Sequence, residues 1–390
     1  MSVTAPAGFA AAGTEAGLKK SGGLDLAIVQ NLGPASAAAA VFTSNRCLAN
    51  PVLWSRQVVA DGVVSAIVLN SGGANCYTGS QGFQTTHATA EAVAEKLGVS
   101  AGDVLVCSTG LIGEQLDLAK VTAGVAAAAS DLRADAAQTS DAGLAAARAI
   151  MTTDTRPKQA EHRSPTGWTI GGMAKGAGML APGLATMLVV LTTDALLTSA
   201  QLDVALRQAT RLTFDRLDSD GCMSTNDTVS LLASGASGIE ADLTEFTEAL
   251  TDLCRDLTRQ LQADAEGAGH DVAIEVRNAA TEQEAVTVAR AVSRSNLFKT
   301  AIYGNDPNWG RVLAAVGTTD AAFDPFNIDV AINGVQVCSG GEPDQPRDLV
   351  DLTPREVSVV IDLHAGGATA TIWTNDLTHE YVEENSAYSS

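Results

Sequence analysis

The chain has 390 residues, of which 46% are hydrophobic and 18% charged, so it can bury a large core. Lysine and arginine number 24 against 45 acidic residues, which gives a formal net charge of -21. A surface this acidic repels phosphate backbones and anionic lipid headgroups, which argues against binding to nucleic acid or to a membrane. The first 20 residues lack a signal-peptide pattern, and no apolar run reaches the roughly 18 residues of a membrane span. We therefore expect a cytoplasmic protein.

Strands and a glycine-rich turn are predicted near the start of the chain. Short apolar runs bounded by Gly, Pro and Asn predict buried strands within residues 25–43 and 63–70. Residues 70–75 then form a turn, which either binds an anion through its N–H groups or simply connects two elements. Alanine-rich sequence over residues 85–97 predicts a helix.

Residues 103–107 predict a strand that ends in Ser108-Thr109-Gly110. A hydroxyl beside an unhindered N–H is the donor pair that an oxyanion hole needs. Taken alone, the same residues are more often an ordinary turn. Further along, residues 118–144 are expected to be mostly helical, and residues 150–158 form a polar segment.

The stretch from Lys175 to Leu191 is the most informative part of the chain. Its glycines, with Pro182 and Gly183, predict a loop that includes Lys175, and residues 187–192 predict a buried strand. Thr186 therefore falls at a loop-to-strand junction. A threonine becomes an effective nucleophile when its own α-amine is the adjacent base, which here requires cleavage of the Ala185–Thr186 bond. That amine would titrate at about pH 8.

Two other interpretations of this stretch stay open on the residues alone. It could be a glycine-proline loop that leads into a core strand. Gly176, Gly178 and Ala181 also match the degenerate Gly-x-Gly-x-x-Ala fingerprint of a dinucleotide site, although that motif needs a helix where this chain has a predicted strand.

Helices dominate the predictions after the central strand. Within residues 199–217 and 242–267, apolar side chains recur at the three- and four-residue intervals of an amphipathic helix. Glu266 falls at the end of the second helix, where the helix dipole disfavours a carboxylate. A bound cation would offset this unfavourable interaction. The acidic loop over residues 218–227 does not have the spacing of a calcium site, so we expect a hydrogen-bonded turn.

The C-terminal region combines one helix with two hairpins. A capping box at Thr281 predicts a helix through Ala301. Hairpins are predicted within residues 328–337 and 357–373, over Asn333-Gly334 and Gly366-Gly367. The six cysteines and five histidines show no metal-binding spacing, so we expect no metal site and buried, reduced thiols.

Five segments together resemble the ornithine acetyltransferase family of arginine biosynthesis, whose members are also described as glutamate N-acetyltransferases. The resemblance runs from about residue 8 to residue 390 and preserves the order of the motifs. Many members have Asn and Met where this chain has Gly183 and Leu184. The segments are residues 70–75, 108–113, 175–191, 218–227 and 305–311.

The resemblance implies a role for each matching site residue. Thr186 would be the nucleophile, and Thr109 with Gly110 would stabilise the oxyanion. Lys175 would hold a substrate carboxylate, as a compact ammonium can. No cofactor or metal is implied. The residues assigned to substrate binding are Thr152, Lys175, Thr186, Glu266, Asn385 and Ser390.

The family fold implied is α+β, with a layered α/β/β/α core. Self-cleavage would give an alpha chain of residues 1–185 and a beta chain of residues 186–390 that remain interwoven. Two chains of each kind would pair as a heterotetramer.

The implied activity is acetyl transfer from N2-acetyl-L-ornithine to L-glutamate through an acetyl-Thr186 ester. The sequence does not decide whether acetyl-CoA is also a donor. A self-processing aminopeptidase or amidohydrolase that uses the same threonine is the alternative enzyme. A non-catalytic binding protein is the third interpretation, against which the combination of Thr109, Gly110, Lys175 and Thr186 argues.

Overall fold

The computed structural model describes residues 2–133, 135–181 and 187–387, which divide into two compact units. The first unit holds described residues of 2–177, 187–215 and 223–261. The second holds residues 178–181, 216–222 and 262–387. Both units therefore combine sequence from before and after the predicted cleavage point at Ala185–Thr186, a pair that lies outside the described residues.

The first unit contains two sheets, of four and five strands. Its strands are β1 Phe9–Thr14, β2 Leu26–Asn31, β3 Ala37–Phe42, β4 Ala66–Asn70, β5 Val104–Ser108, β6 Lys158–Arg163, β7 Thr169–Lys175, β8 Leu188–Thr193 and β9 Thr228–Ala233. The helices up to the end of this unit are α1 Asn50–Val58, α2 Gly79–Leu97, α3 Leu118–Asp131, α4 Ser140–Ala149, α5 Ser199–Leu212 and α6 Leu243–Ala263. The sheet orders are β1-β2-β4-β5 and β3-β9-β8-β7-β6.

These two sheets pack face to face between layers of helices. Leu69 of β4 and Val190 of β8 belong to one buried cluster, which fills the space between the sheets. On the outer face of the four-stranded sheet, Val68 packs with Val93 of α2 and with α3. On the five-stranded sheet, Gly172 of β7 lies against leucines of α6. The predicted α+β fold with α/β/β/α layers is confirmed.

The second unit is one six-stranded sheet with helices. Residues from β10 and α7 share its hydrophobic core, so these helices cover an apolar face of the sheet. The strand order is β13-β12-β11-β14-β10-β15. The strands are β10 Asp271–Ala279, β11 Asp329–Ile332, β12 Val335–Ser339, β13 Glu342–Pro343, β14 Glu356–Asp362 and β15 Ala368–Asn375. The helices are α7 Glu282–Ser293, α8 Asn296–Tyr303, α9 Trp309–Val316 and α10 His379–Ala387.

One of the two predicted hairpins is correct. β11 and β12 pair over Asn333 and Gly334, both of which have the positive φ that a type I′ turn requires. The second prediction is wrong, because β10 lies between β14 and β15. The connection between them crosses the end of β10, where the N–H groups of Ala365 and Gly366 donate to the carbonyl oxygen of Asn278.

Two predicted helices are interrupted. The helix predicted over residues 281–301 breaks after Ser293, because the Ser295 hydroxyl accepts a hydrogen bond from the N–H of Phe298 and starts α8. The alanine-rich segment 118–144 is likewise divided into α3 and α4, and Thr139 caps α4. Capping side chains therefore override continuous helical composition at both points.

Candidate active site

The Thr109-Gly110 pair follows β5 directly and lies against the glycine turn of residues 70–75. Gly73 donates its N–H to the Thr109 carbonyl, and Thr109 donates its own to Asn70. Gly110 has a φ of 128°, and a Cβ there would lie 2.8 Å from the Gly73 nitrogen. Among the described residues, the Gly110 N–H has no hydrogen-bond acceptor. The N–H that the sequence singled out is thus available to a substrate oxygen.

Lys175 is the last residue of β7, not part of a loop as predicted, and its side chain is buried. Its Nζ lies 3.3 Å from the Thr109 hydroxyl oxygen. In the β7–β8 pairing, Lys175 stands opposite Leu188, two residues after position 186. The ammonium of Lys175 and the Thr109-Gly110 pair therefore adjoin the start of the strand that follows Thr186.

Asp154 links several polar groups near the end of β7, and the sequence analysis did not predict this role. Its carboxylate accepts hydrogen bonds from Lys158 Nζ at 2.6 Å, from the Gly176 N–H at 2.7 Å and from the Thr152 N–H at 3.0 Å. Burial by itself would raise the pKa of Asp154, but the charges of Lys175 and Lys158 and the Gly176 N–H outweigh it and lower that pKa. The carboxylate therefore stays ionised and fixes both Thr152 and the end of β7.

The four-residue spacing of Asp154 and Lys158 is the only local signal for this group, and it is also typical of exposed helical ion pairs. The contact with Gly176 joins residues 22 positions apart. Nothing in the local sequence predicts that contact.

Two polar residues at the end of the acidic loop hold the strand junctions together. The Asn226 amide donates to the carbonyl oxygens of Ala74 and Ser108, at 2.6 and 2.8 Å. Asp227 accepts the N–H of Met187 at 3.0 Å, and both residues are fully buried. Burial raises the pKa of Asp227 well above its usual range, and the hydrogen bond from Met187 only partly offsets this. Asp227 thus holds the residue that directly follows Thr186.

Two further predicted substrate residues meet in the second unit. The Asn385 amide, on α10, donates to Glu266 Oε2 at 2.9 Å. Gly178 packs against the same carboxylate, since a Cβ there would lie 2.3 Å from Glu266 Oε2. Helix α6 ends at Ala263, so Glu266 lies in the turn that follows the helix and not within its last turn as predicted.

The structure therefore brings the predicted residues together in two groups. In the first unit, Lys175 lies beside Thr109, which precedes Gly110, and Asp154 binds the N–H of Thr152 and of Gly176, the residue after Lys175. Glu266 and Asn385 are in contact in the second. Three predicted site residues, Ala185, Thr186 and Ser390, lie outside the described residues.

Other types of site have less support. The next described element after Gly176, Gly178 and Ala181 is strand β8, whereas a dinucleotide fingerprint needs a helix at this point. Within the described part of the chain, no cluster of His, Cys, Asp or Glu has metal-binding geometry. All six cysteines are free thiols, but Cys47 and Cys222 are exposed, so the expectation that all are buried is wrong. Among the described helices, none combines the length and apolar character of a membrane span.

Comparison with known proteins identifies the family. A model of the ArgJ family matches residues 10–390. This chain belongs to the ArgJ family. The arginine biosynthesis bifunctional protein ArgJ of Streptomyces coelicolor is 62% identical over 390 residues, which cover 100% of both chains. The protein of the same name from Thermobifida fusca is also 62% identical, again over 100% of both chains.

A solved ArgJ-like structure is the ornithine acetyltransferase of Mycobacterium tuberculosis complexed with ornithine. It is 53% identical, covers 48% of this chain and 96% of its own, and has a TM-score of 0.45. The curated ArgJ relatives confirm the predicted family and the prediction of an enzyme of arginine biosynthesis.

Proposed function

We propose that this ArgJ-family enzyme transfers the acetyl group of N2-acetyl-L-ornithine to L-glutamate, using Thr186 as the nucleophile. The first stage is self-cleavage. The Thr186 hydroxyl attacks the Ala185 carbonyl carbon, the peptide C–N bond breaks, and an ester links the two residues. Water hydrolyses this ester and leaves Thr186 with a free α-amine. Well-oriented intramolecular attack of this kind can lower a barrier by roughly 7 to 11 kcal/mol.

The second stage is acetyl transfer in two half-reactions. The Thr186 amine takes the proton of its own hydroxyl, whose oxygen attacks the acetyl carbonyl of N-acetylornithine. The Thr109 hydroxyl and the Gly110 N–H stabilise the oxyanion. Ornithine leaves as the amine, and the α-amine of glutamate then attacks the acetyl-Thr186 ester. The product is N-acetylglutamate, and no cofactor takes part.

One observation carries this proposal. Lys175 Nζ lies 3.3 Å from the Thr109 hydroxyl, and Lys175 pairs with Leu188, two residues after Thr186. A cation for the substrate α-carboxylate and donors for an oxyanion thus adjoin the start of the strand that follows the residue that the mechanism needs as nucleophile. Thr152, Glu266, Asn385 and Ser390 would complete substrate binding, with Glu266 serving an amino group.

Three further features belong to the proposal. The word "bifunctional" in the names of the relatives supports acetyl-CoA as a second donor to glutamate. The alpha chain 1–185 and beta chain 186–390 would assemble as a heterotetramer with two copies of each. The six free thiols support a reducing, cytoplasmic location.

The proposal is tested by the intact mass and N-terminal sequence of the purified protein, followed by a transfer assay. We expect two fragments, one beginning Thr186-Met187-Leu188. Thr186→Ala should stay uncut at 39.9 kDa and lose acetyl transfer. Thr122→Ala, at a half-buried position of α3, is the matched control and should behave as wild type.

Two outcomes would contradict the proposal. An uncut Thr186→Ala protein with full activity would exclude Thr186 as the nucleophile. Release of free acetate from N-acetylornithine, without formation of acetylglutamate, would favour the amidohydrolase alternative.

A further inference from the structure

Lys175 carries a buried positive charge at the end of β7. The proposed function, on which this inference rests, gives that charge the task of binding the substrate α-carboxylate. A lysine ammonium sits on a long, flexible stem, so neighbouring groups must restrict it before it can mark one position. Burial of an ammonium is also costly unless an ionised carboxylate lies nearby. The neighbours of Lys175 therefore decide how well it can bind a substrate.

Two carboxyl groups of the first unit respond to the charge of Lys175. Burial raises the pKa of Asp227 well above its usual range, although the charge of Lys175 is among the effects that oppose this. Burial acts on Asp154 in the same direction, but the charges of Lys175 and Lys158 outweigh it and lower the pKa of Asp154. Asp154 is therefore the ionised member of the two and faces Lys175 as a carboxylate.

Three hydrogen bonds fix the Asp154 carboxylate in one orientation. Its Oδ1 accepts from Lys158 Nζ at 2.6 Å and from the Gly176 N–H at 2.7 Å. Its Oδ2 accepts the Thr152 N–H at 3.0 Å. The side chains of Asp154 and Lys158 are both fully buried. A carboxylate with both oxygens engaged in a buried network keeps a defined position.

The bond to Gly176 connects this carboxylate to the residue directly after Lys175. The pairing of β7 with β8 ends at Lys175, which stands opposite Leu188. The hydrogen bond from Gly176 to Asp154 fixes the backbone one residue further. At the tip of the side chain, Lys175 Nζ lies 3.3 Å from the Thr109 hydroxyl. Lys175 is thus held through its backbone as well as through its ammonium.

A second buried aspartate supports the opposite end of the same strand. Asp194 accepts the N–H of Thr169, the first residue of β7, at 2.7 Å, and the N–H of Ala7 at 3.0 Å. Asp154 and Asp194 therefore give β7 the same kind of backbone support within one unit. They differ in their surroundings, because Asp154 adjoins Lys175 and Asp194 lies at the far end of the strand.

We propose that Asp154 is a positioning residue for recognition of the substrate α-carboxylate. Its hydrogen bond to Gly176 and its negative charge hold the Lys175 ammonium in the orientation that binds this carboxylate. N-acetylornithine and glutamate both carry an α-carboxylate, so Asp154 acts on both half-reactions. It touches neither substrate and takes no part in the proton transfers.

Asp154→Asn removes the charge and keeps the size of the side chain. It should raise the KM for N-acetylornithine and for glutamate at least about tenfold and change kcat less than about threefold, because it weakens a contact that ground state and transition state share. Asp154→Glu restores the charge and should recover part of the loss. Asp194→Asn is the matched control at the other end of β7 and should change either KM less than about twofold.

A second variant separates this effect from a loss of stability. Asp154→Asn leaves the Lys158 ammonium buried without the Asp154 carboxylate, which by itself can destabilise a fold. The double variant Asp154→Asn/Lys158→Met removes both charges of the pair, so it should resist denaturant better than Asp154→Asn and show the same increase in KM.

A double-mutant cycle with Lys175→Met tests whether Asp154 acts through Lys175. In the Lys175→Met background, Asp154→Asn should change kcat/KM less than about twofold, because the group that it positions is already gone. Losses that multiply in the cycle would overturn the positioning role, and so would unchanged KM values in Asp154→Asn. An equal increase in KM in Asp194→Asn would also overturn it. Wild-type protein that forms no acetylglutamate would instead overturn the proposed function, and this inference with it.

Discussion

At Gly110, a single methyl group would meet backbone atoms of the glycine turn. A Cβ there would lie 2.8 Å from the Gly73 nitrogen, in a residue whose φ of 128° already disfavours a side chain. Gly113 also has a positive φ, of 86°, but a Cβ there would meet nothing within 4 Å. Replacing each glycine by alanine therefore distinguishes two effects. Both variants carry the backbone strain of a positive φ, but only the Gly110 variant also places a Cβ against the Gly73 backbone.

We expect Gly113→Ala to cost about 1 kcal/mol of unfolding free energy and to keep its transfer rate. Gly110→Ala should cost more than this and abolish most acetyl transfer, because the N–H that we propose for the oxyanion moves with the displaced backbone. Denaturant titration and steady-state kinetics on both variants measure these effects. Equal loss of transfer in the two variants would show that the close approach to Gly73 is not needed for the oxyanion site.

The same residues show what the sequence could and could not predict. Thr109 and Gly110 form a local signal, a strand that runs into Thr-Gly, and the structure places them as that signal indicates. The environment of Lys175 could not be predicted from the residues around it. Its ammonium lies beside Thr109, 66 positions away in the sequence, and its backbone pairs with Leu188 of the next strand. Asp154 was missed for the same reason, because its role comes from residues brought to it by the fold.

At the scale of elements, strand β8 is held at both ends by buried aspartates. Asp227 accepts the N–H of Met187 just before the strand. Asp194 follows the strand and accepts the N–H groups of Thr169 and Ala7, at 2.7 and 3.0 Å. Removing either carboxylate leaves a backbone donor without its partner, which typically costs about 1 to 3 kcal/mol of stability. Only the Asp227 end adjoins Thr186.

We therefore expect Asp227→Ala to slow the proposed self-cleavage at least about tenfold, because the N–H of Met187, the residue after the proposed nucleophile, loses its hydrogen-bond acceptor. Asp194→Ala should destabilise the protein to a similar extent but cleave at the wild-type rate. Asp227→Asn should cleave almost normally, since burial raises the pKa of Asp227 and favours its neutral form. Gel densitometry after synthesis measures each rate. Slow cleavage in Asp194→Ala would instead reveal a general effect of lost stability.

Strands and helices could be predicted where the sequence pattern that specifies them lies within a short run of residues. The strand after Thr186 and the hairpin over Asn333-Gly334 depend on short runs of sequence, and both are present. The hairpin predicted over Gly366-Gly367 failed because β10, from far earlier in the chain, inserts between its two strands. Periodicity shows that a strand exists but does not identify its neighbours.

At the scale of the whole molecule, the five-stranded sheet determines whether the products of the proposed cleavage at Ala185–Thr186 can separate. Its order is β3-β9-β8-β7-β6, so the two strands after position 186 lie between strands from before it. Six residue pairs join β8 to β7, and six join β9 to β3. Val190 of β8 and Ile67 of β4 also share one buried cluster. Separation of the two products would break this sheet and expose its core.

We therefore expect the cleaved chains to elute together from a sizing column in native buffer and to separate only in denaturant. Light scattering should give a mass of about twice 39.9 kDa if two copies of each chain assemble as proposed. Uncut Thr186→Ala is the control and should elute at the same volume as the cleaved wild type, because the pairing of the strands does not require an intact Ala185–Thr186 bond. Release of free residues 1–185 without denaturant would contradict the interwoven arrangement, since strands paired on both sides of β8 and β9 cannot dissociate without unfolding.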